Sequence, residues 1–264
     1  MKQEQVEQFK RWFEEYTNRF LGDDEYINIH NRLKQDHTKK TSEEILYLAE
    51  QLALDENQRY LAEVIALFHD IGRFPQFARY RTYKDVHSVD HSHLGVEVLA
   101  QEGILGCLRR EEREWIETAV EHHGHKSLPS TLRGQALLFA KLIRDADKLD
   151  IYRIVLTNYR TYYHEPAKFS FEIELPDEPG ISPAVLDAVV GGGVVDYNDL
   201  RTMNDMKLCQ LGWVYDMNFV AAIERLQQRG YIDELLNLLP QTDDTQRVRR
   251  KILEYLESRL APVS

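Results

Sequence analysis

Cysteine is scarce in this chain of 264 residues: Cys107 and Cys209 stand far apart and form no CxxC pair. A disulfide framework is therefore not expected, and reduced cytosolic thiols are the default. Basic runs are missing as well. With a formal net charge of −11 and no Lys/Arg-rich stretch, the surface is unsuited to sequence-independent contact with a nucleic acid duplex. A small anionic substrate remains compatible, because a local positive site can exist on an acidic surface. No apolar run approaches the roughly 20 residues of a membrane span, and the polar start Met1-Lys2-Gln3-Glu4-Gln5 does not read as a signal peptide. A cytoplasmic protein without membrane contact is expected. What is present is ordinary globular composition, 43% hydrophobic and 29% charged, ample for a core.

Apolar residues recur at helical spacing over most of the chain. Val6, Phe9, Trp12, Phe13, Tyr16 and Phe20 mark an amphipathic helix over 3–20. A second is expected over 25–38 (Ile27, Ile29, Leu33, His37). Thr41-Ser42-Glu43-Glu44 reads as the start of a third, with hydroxyls at the cap and acids in the first turn. The run Leu61-Ala62-Glu63-Val64-Ile65-Ala66-Leu67-Phe68 leads into His69-Asp70, and residues 72–90 read as a long, aromatic-rich loop. Helices follow over 91–101, 111–122 and 133–158. Lys168 to Leu175 alternates with period two, the pattern of a short strand or extended arm, and Gly191-Gly192-Gly193 is a joint. Helices over 183–190, 205–228, 230–239 and 244–260 complete an all-α chain with at most a short hairpin near 168–180. The expected organisation is 1–160 as one helical domain and 161–264 as a helical extension packed on it.

His69 and Asp70 sit at the inner end of an apolar helix, where a bare charge is very costly and needs a partner or a metal. Nine of the ten histidines fall between residues 30 and 125. The ordered motifs are His37-Thr38, His69-Asp70-Ile71-Gly72-Arg73-Phe74, His91-Ser92-His93-Leu94-Gly95, Glu121-His122-His123-Gly124 and Asp145-Ala146-Asp147-Lys148-Leu149-Asp150. Over roughly residues 25–155 this series resembles the HD superfamily of metal-dependent phosphohydrolases.

The resemblance implies an HD-domain helical bundle with metal ligands His37, His69, Asp70 and Asp147. Asp147 is preferred to Asp145 because it shares the inward face of Ala140 and Ile143 and precedes a basic residue, Lys148, as in the family. A mixed nitrogen and oxygen set suits Mn, Fe, Co, Ni or Zn better than Ca, with Mg also allowed. One ion is expected, with a second left open. The ion would lower the pKa of a bound water and polarise a phosphate oxygen. Asp70, His91, His122 and His123 are the catalytic candidates, and Arg73, Lys148 and Arg144 the candidates for holding phosphate. The implied substrate is a small phosphomonoester, nucleotide-like. A homodimer is open, through the 3–20 helix and the 160–180 arm. Three other readings stand beside hydrolysis of a phosphomonoester. Cyclic dinucleotide hydrolysis lacks its HHExxDGxGYP extension here, since Gly124-His125-Lys126 follows the histidine pair. A di-iron oxygenase would use the additional histidines. A non-catalytic nucleotide sensor would ordinarily have lost ligands.

Overall fold

Regular apolar spacing carries through into helices along the described residues. The structure is a computed structural model that describes residues 1–165 and 175–261. Among the described residues it contains helices and no strand, an all-α architecture consistent with an HD helical bundle. The period-two stretch lies almost wholly at 166–174, outside the described residues, and residues 175–180 carry no regular structure.

The chain divides into two compact units, Met1–Asp150 and Ile151–Ser264. The first holds α1 (Gln3–Asn18), α2 (Glu25–Gln51), α3 (Glu56–Phe68), α4 (Arg73–Tyr80), α5 (His91–Glu102), α6 (Arg110–His122) and the first half of α7 (Gly134–His164). The second holds the remainder of α7 with α8 (Pro183–Val190), α9 (Met203–Gly212), α10 (Val220–Gln228), α11 (Tyr231–Asn237) and α12 (Asp243–Leu260).

Three helix boundaries differ from the sequence expectation. The break expected at Thr41-Ser42 is absent, and α2 runs on as 27 residues. Thr41 is buried and the Ser42 hydroxyl donates to the Thr38 carbonyl at 2.9 Å. The Ser42 hydroxyl therefore bonds back inside a helix rather than capping one, while the buried Thr41 hydroxyl makes no hydrogen bond. The expected loop at 72–90 contains α4. Pro75 falls in its first turn, where a missing N–H is tolerated, and Phe74 and Phe77 are buried. Arg81, at φ 58°, ends it in a left-handed conformation. The single helix expected over 205–228 is interrupted at Trp213–Asp216 by a 3-10 turn, and the backbone is extended at Met217. Arg259 of α12 donates to the Met217 and Asn218 carbonyls, each at 3.1 Å, that this interruption frees.

Within the first unit the core places the His69-Asp70 turn. Phe9 and Trp12 of α1 both meet Phe68 edge-on at 5.6 Å, and Phe13 meets Phe74 at 5.9 Å. Aromatic rings thus clamp the chain on either side of the turn. Gly72 seats the turn against α5: a Cβ there would lie 2.2 Å from the His91 carbonyl oxygen and 2.6 Å from the Gly95 amide nitrogen. Both contacts are backbone, so neither can step aside. Gly72→Ala is expected to destabilise the protein by about 1–3 kcal/mol, as overpacking does, while Gly22→Ala, which faces open space, is expected to leave thermal melting within a degree or so of wild type. Equal melting temperatures for Gly72→Ala and wild type would refute this account of the turn.

Candidate metal centre

Five helices each bring one or two side chains to a common point. His37 comes from the middle of α2, and His69 and Asp70 follow the last residue of α3. His91 opens α5, His123 follows the end of α6, and Asp147 lies in α7. His37, His69, Asp70, His91 and His123 are buried, and the Asp147 side chain is 15% exposed.

The four imidazoles are oriented alike. Each Nδ1 faces an oxygen at 2.7 Å: Asp150 Oδ2 for His37, the Ala66 carbonyl for His69, Asp85 Oδ2 for His91 and the Val120 carbonyl for His123. Holding Nδ1–H in this way turns Nε2 inward, the arrangement that supporting groups impose on metal-binding histidines. The Nε2 atoms of His37 and His69 are 3.3 Å apart and those of His91 and His123 are 3.1 Å apart.

Asp70 joins the two pairs. Its Oδ2 lies 3.6 Å from His37 Nε2 and 3.7 Å from His69 Nε2, and its Oδ1 lies 3.6 Å from both His91 Nε2 and His123 Nε2. Asp147 Oδ1 completes the first pair, 3.0 Å from His37 Nε2 and 3.7 Å from His69 Nε2. Atoms that share one ion at about 2.0–2.2 Å stand about 3.0–3.5 Å apart, close to these separations. Asp147 Oδ1 is buried and makes no hydrogen bond, a costly state for a carboxylate oxygen unless a cation approaches it. The donor set and the orphaned oxygen therefore fit a divalent metal. Among the described residues four groups could hold an ion: His37, His69 and Asp70; His69, His123 and Asp147; Asp70, His91 and His123; and, at the edge of the cluster, Asp85, Asp90 and His91.

Other residues singled out in the sequence are placed differently. Asp145 is buried and belongs to none of these groups. His122 is half-buried outside the cluster, its Nδ1 3.2 Å from that of His125. Arg144 is buried and donates to the His123 carbonyl at 3.0 Å and to the His125 carbonyl. It thus fastens the end of α6 that carries His123. Arg73 sits beside Asp70, with Nε 3.5 Å from Oδ1, and also reaches Asp85 Oδ1 at 2.9 Å. Lys148 Nζ lies 3.4 Å from the Arg144 carbonyl.

Sequence reasoning passed over Lys34, whose Nζ is 2.8 Å from Asp70 Oδ2. Its spacing from His37 is the signal that was available: three residues earlier on a helix is the same face. Asp85 and Asp150 were likewise not given their roles as anchors of His91 and His37. Gly124 has a local reason too, since a Cβ there would stand 2.9 Å from His91 Cε1.

The charges follow from this packing. Burial opposes ionisation of Asp70, but Lys34, His69, His123 and Arg73 hold its carboxyl well below the usual range. Asp147 is also lowered, against burial, mainly by His37. Burial pushes His69 and His91 down to about 4, so both are neutral at pH 7 with Nε2 lone pairs directed inward. Burial opposes the charging of His37 as well, yet the Asp147 and Asp150 carboxylates beside it outweigh that and raise it to about 9. At pH 7, below that value, His37 carries a proton that a metal ion at Nε2 must displace. Loading a divalent metal at pH 7 is therefore expected to release about one proton per chain from His37, and none from His69 or His91. Calorimetry in buffers of different ionisation enthalpy measures this, and a release of zero would contradict the assigned charge state.

Comparison with known proteins places this geometry in a family. No curated protein and no solved structure matches the chain. Residues 36–152 match the family model described as HD domain, a segment that includes every residue of the cluster and begins two residues after Lys34. HD domains bind divalent metals and are typical of metal-dependent phosphohydrolases. Residues 36–152 of the chain form an HD domain by this match.

Proposed function

We propose that the protein is a metal-dependent phosphohydrolase acting on a small, nucleotide-like phosphomonoester. The observation that carries this reading is the convergence of four Nε2 atoms and two carboxylates around Asp70, with its two oxygens turned to different histidine pairs. His37, His69, Asp70 and Asp147 would hold one ion, and Asp70, His91 and His123 a second. Two positions that share Asp70 are thus favoured over the single ion expected from the sequence. Mn, Fe, Co, Ni and Zn all suit such nitrogen and oxygen donors. When bound, such an ion polarises a phosphate oxygen and lowers the pKa of a coordinated water.

The chain's own residues supply the remaining requirements. Lys34 and Arg73 flank Asp70 and offer positive charge for phosphate oxygens that approach the cluster. Lys148, next to Asp147, is a third candidate. His91 serves better as a ligand than as a proton donor, because burial keeps it neutral at the pH of the cell. Asp150 and Asp85 fix the rings that face the substrate, and loss of such supports typically costs 10–100-fold in metal affinity or activity.

The shared carboxylate also favours a second reading, a di-iron oxygenase, because a bridging group between two positions suits paired irons as well. A screen of phosphomonoesters and nucleotides with Mn, Co, Ni, Zn and Mg supplied in turn, together with metal analysis, separates the two. Oxygen consumption by a two-iron form without phosphatase activity would replace the first reading with the second. For the phosphohydrolase, Asp70→Ala is expected to abolish hydrolysis and reduce bound metal below one ion per chain. His91→Ala is expected to lose one ion of two. Circular dichroism should show both variants folded. Full activity and full metal content in Asp70→Ala would sink the assignment.

A further inference from the structure

Two cations share the carboxylate of Asp70, and their mutual repulsion works to part them. Lys34 Nζ lies 2.8 Å from Asp70 Oδ2, and Arg73 Nε lies 3.5 Å from Oδ1. Asp70 alone does not fix where their remaining donors point. A lysine carries three N–H groups on a flexible four-carbon stem, and Asp70 Oδ2 takes one of them. Arg73 Nη1 donates to the Gln76 side chain at 2.9 Å, to the Tyr83 carbonyl at 2.6 Å and to Asp85 Oδ1 at 2.9 Å. Among the described residues its Nη2 makes no hydrogen bond.

The neighbour common to both is Tyr83, half-buried between α4 and α5. Lys34 Nζ lies over its ring, 5.1 Å from the centre, and the Arg73 guanidinium carbon lies over it at 5.8 Å. At this range a cation is attracted by the electron-rich face of an aromatic ring. Other contacts fix the ring itself. Its hydroxyl donates to the His30 carbonyl of α2 at 3.0 Å, and it packs on the Phe77 ring of α4 at 4.6 Å. A single side chain thus ties together the two helices that carry the cations and attracts both charges. That attraction is independent of Asp70. A divalent ion at Asp70 would repel Lys34 and Arg73, and it would leave the pull of the ring intact.

We propose that Tyr83 is a positioning residue: its ring holds Lys34 and Arg73 beside the cluster, with donors free for the oxygens of a bound phosphate. The proposal rests on the phosphohydrolase reading of the cluster.

The test uses the full-length protein loaded with Mn, with inorganic phosphate as the probe and its affinity read by calorimetry. Tyr83→Phe keeps the ring, and it is expected to retain phosphate affinity within about twofold. A chain with pentafluorophenylalanine at position 83 keeps the shape but draws electrons from the ring face, and it is expected to bind phosphate about tenfold more weakly. Its KM for p-nitrophenyl phosphate is expected to rise by about the same factor with kcat changing less, the pattern of binding lost equally from ground and transition states. In a Lys34→Met background only one cation is left to feel the change, and the effect of fluorination is expected to shrink to about threefold. Equal phosphate affinity in the fluorinated chain and Tyr83→Phe would overturn the proposal alone. So would an effect of fluorination undiminished by Lys34→Met. Absence of hydrolysis of every ester with every metal would instead overturn the phosphohydrolase reading, and the proposal with it.

Discussion

The burial of one ionised carboxylate governs the first unit. Asp70 is 3% exposed, and an unpaired charge so placed would cost several kcal/mol. The protein answers by surrounding both oxygens with nitrogen from four directions: Lys34, His37 and His69 on one side, and His91, His123 and Arg73 on the other. Those six groups arrive on five stretches of chain, Lys34 and His37 together on α2, so the folded arrangement of α2 to α6 is what makes the carboxylate tolerable. Conversely, the carboxylate gives those stretches a common point to which they must return.

The supporting layer explains why the arrangement is rigid. Two imidazoles are held by carboxylates and two by carbonyls three residues before them in their own helices. The carbonyl anchors are local and follow directly from a histidine placed just after a helix end. Of the carboxylate anchors, Asp150 reaches His37 across 113 residues and couples α2 to α7, while Asp85 holds His91 from the segment just before it. Arg73 and Gln76 both reach Asp85, which binds the segment after α4 to the site. The 81–90 segment is thus a structural wall for His91.

The second unit has its own interior. Tyr152 and Tyr159 donate to Gln210 of α9, at 2.7 Å to its carbonyl and 3.0 Å to its side-chain oxygen. Tyr152 is fully buried in that core. Lys207 is buried with its Nζ 3.1 Å from Asn204 Oδ1 and over the rings of Tyr159 and Tyr163. Its charge is met by oxygens and aromatic faces, which makes a structural role sufficient for it.

Sequence alone determined the helical class and the order of the histidine and aspartate motifs, because each depends on local spacing and the 3.6-residue period. It misplaced the continuity of α2 and missed α4, because Thr41, Ser42 and Pro75 carry the chemistry of helix ends, and only burial and internal hydrogen bonds show that they lie within helices. The division of the histidines was likewise a tertiary matter. His122 and His123 are neighbours in the chain, yet 100° apart around a helix, and only the packing of α5 and α6 decides that His123 faces Asp70. Lys34, Asp85 and Asp150 acquired their meaning in the same way. Their partners are 36, 6 and 113 residues distant, and electrostatic attraction acts through space, over distances that the chain order does not record.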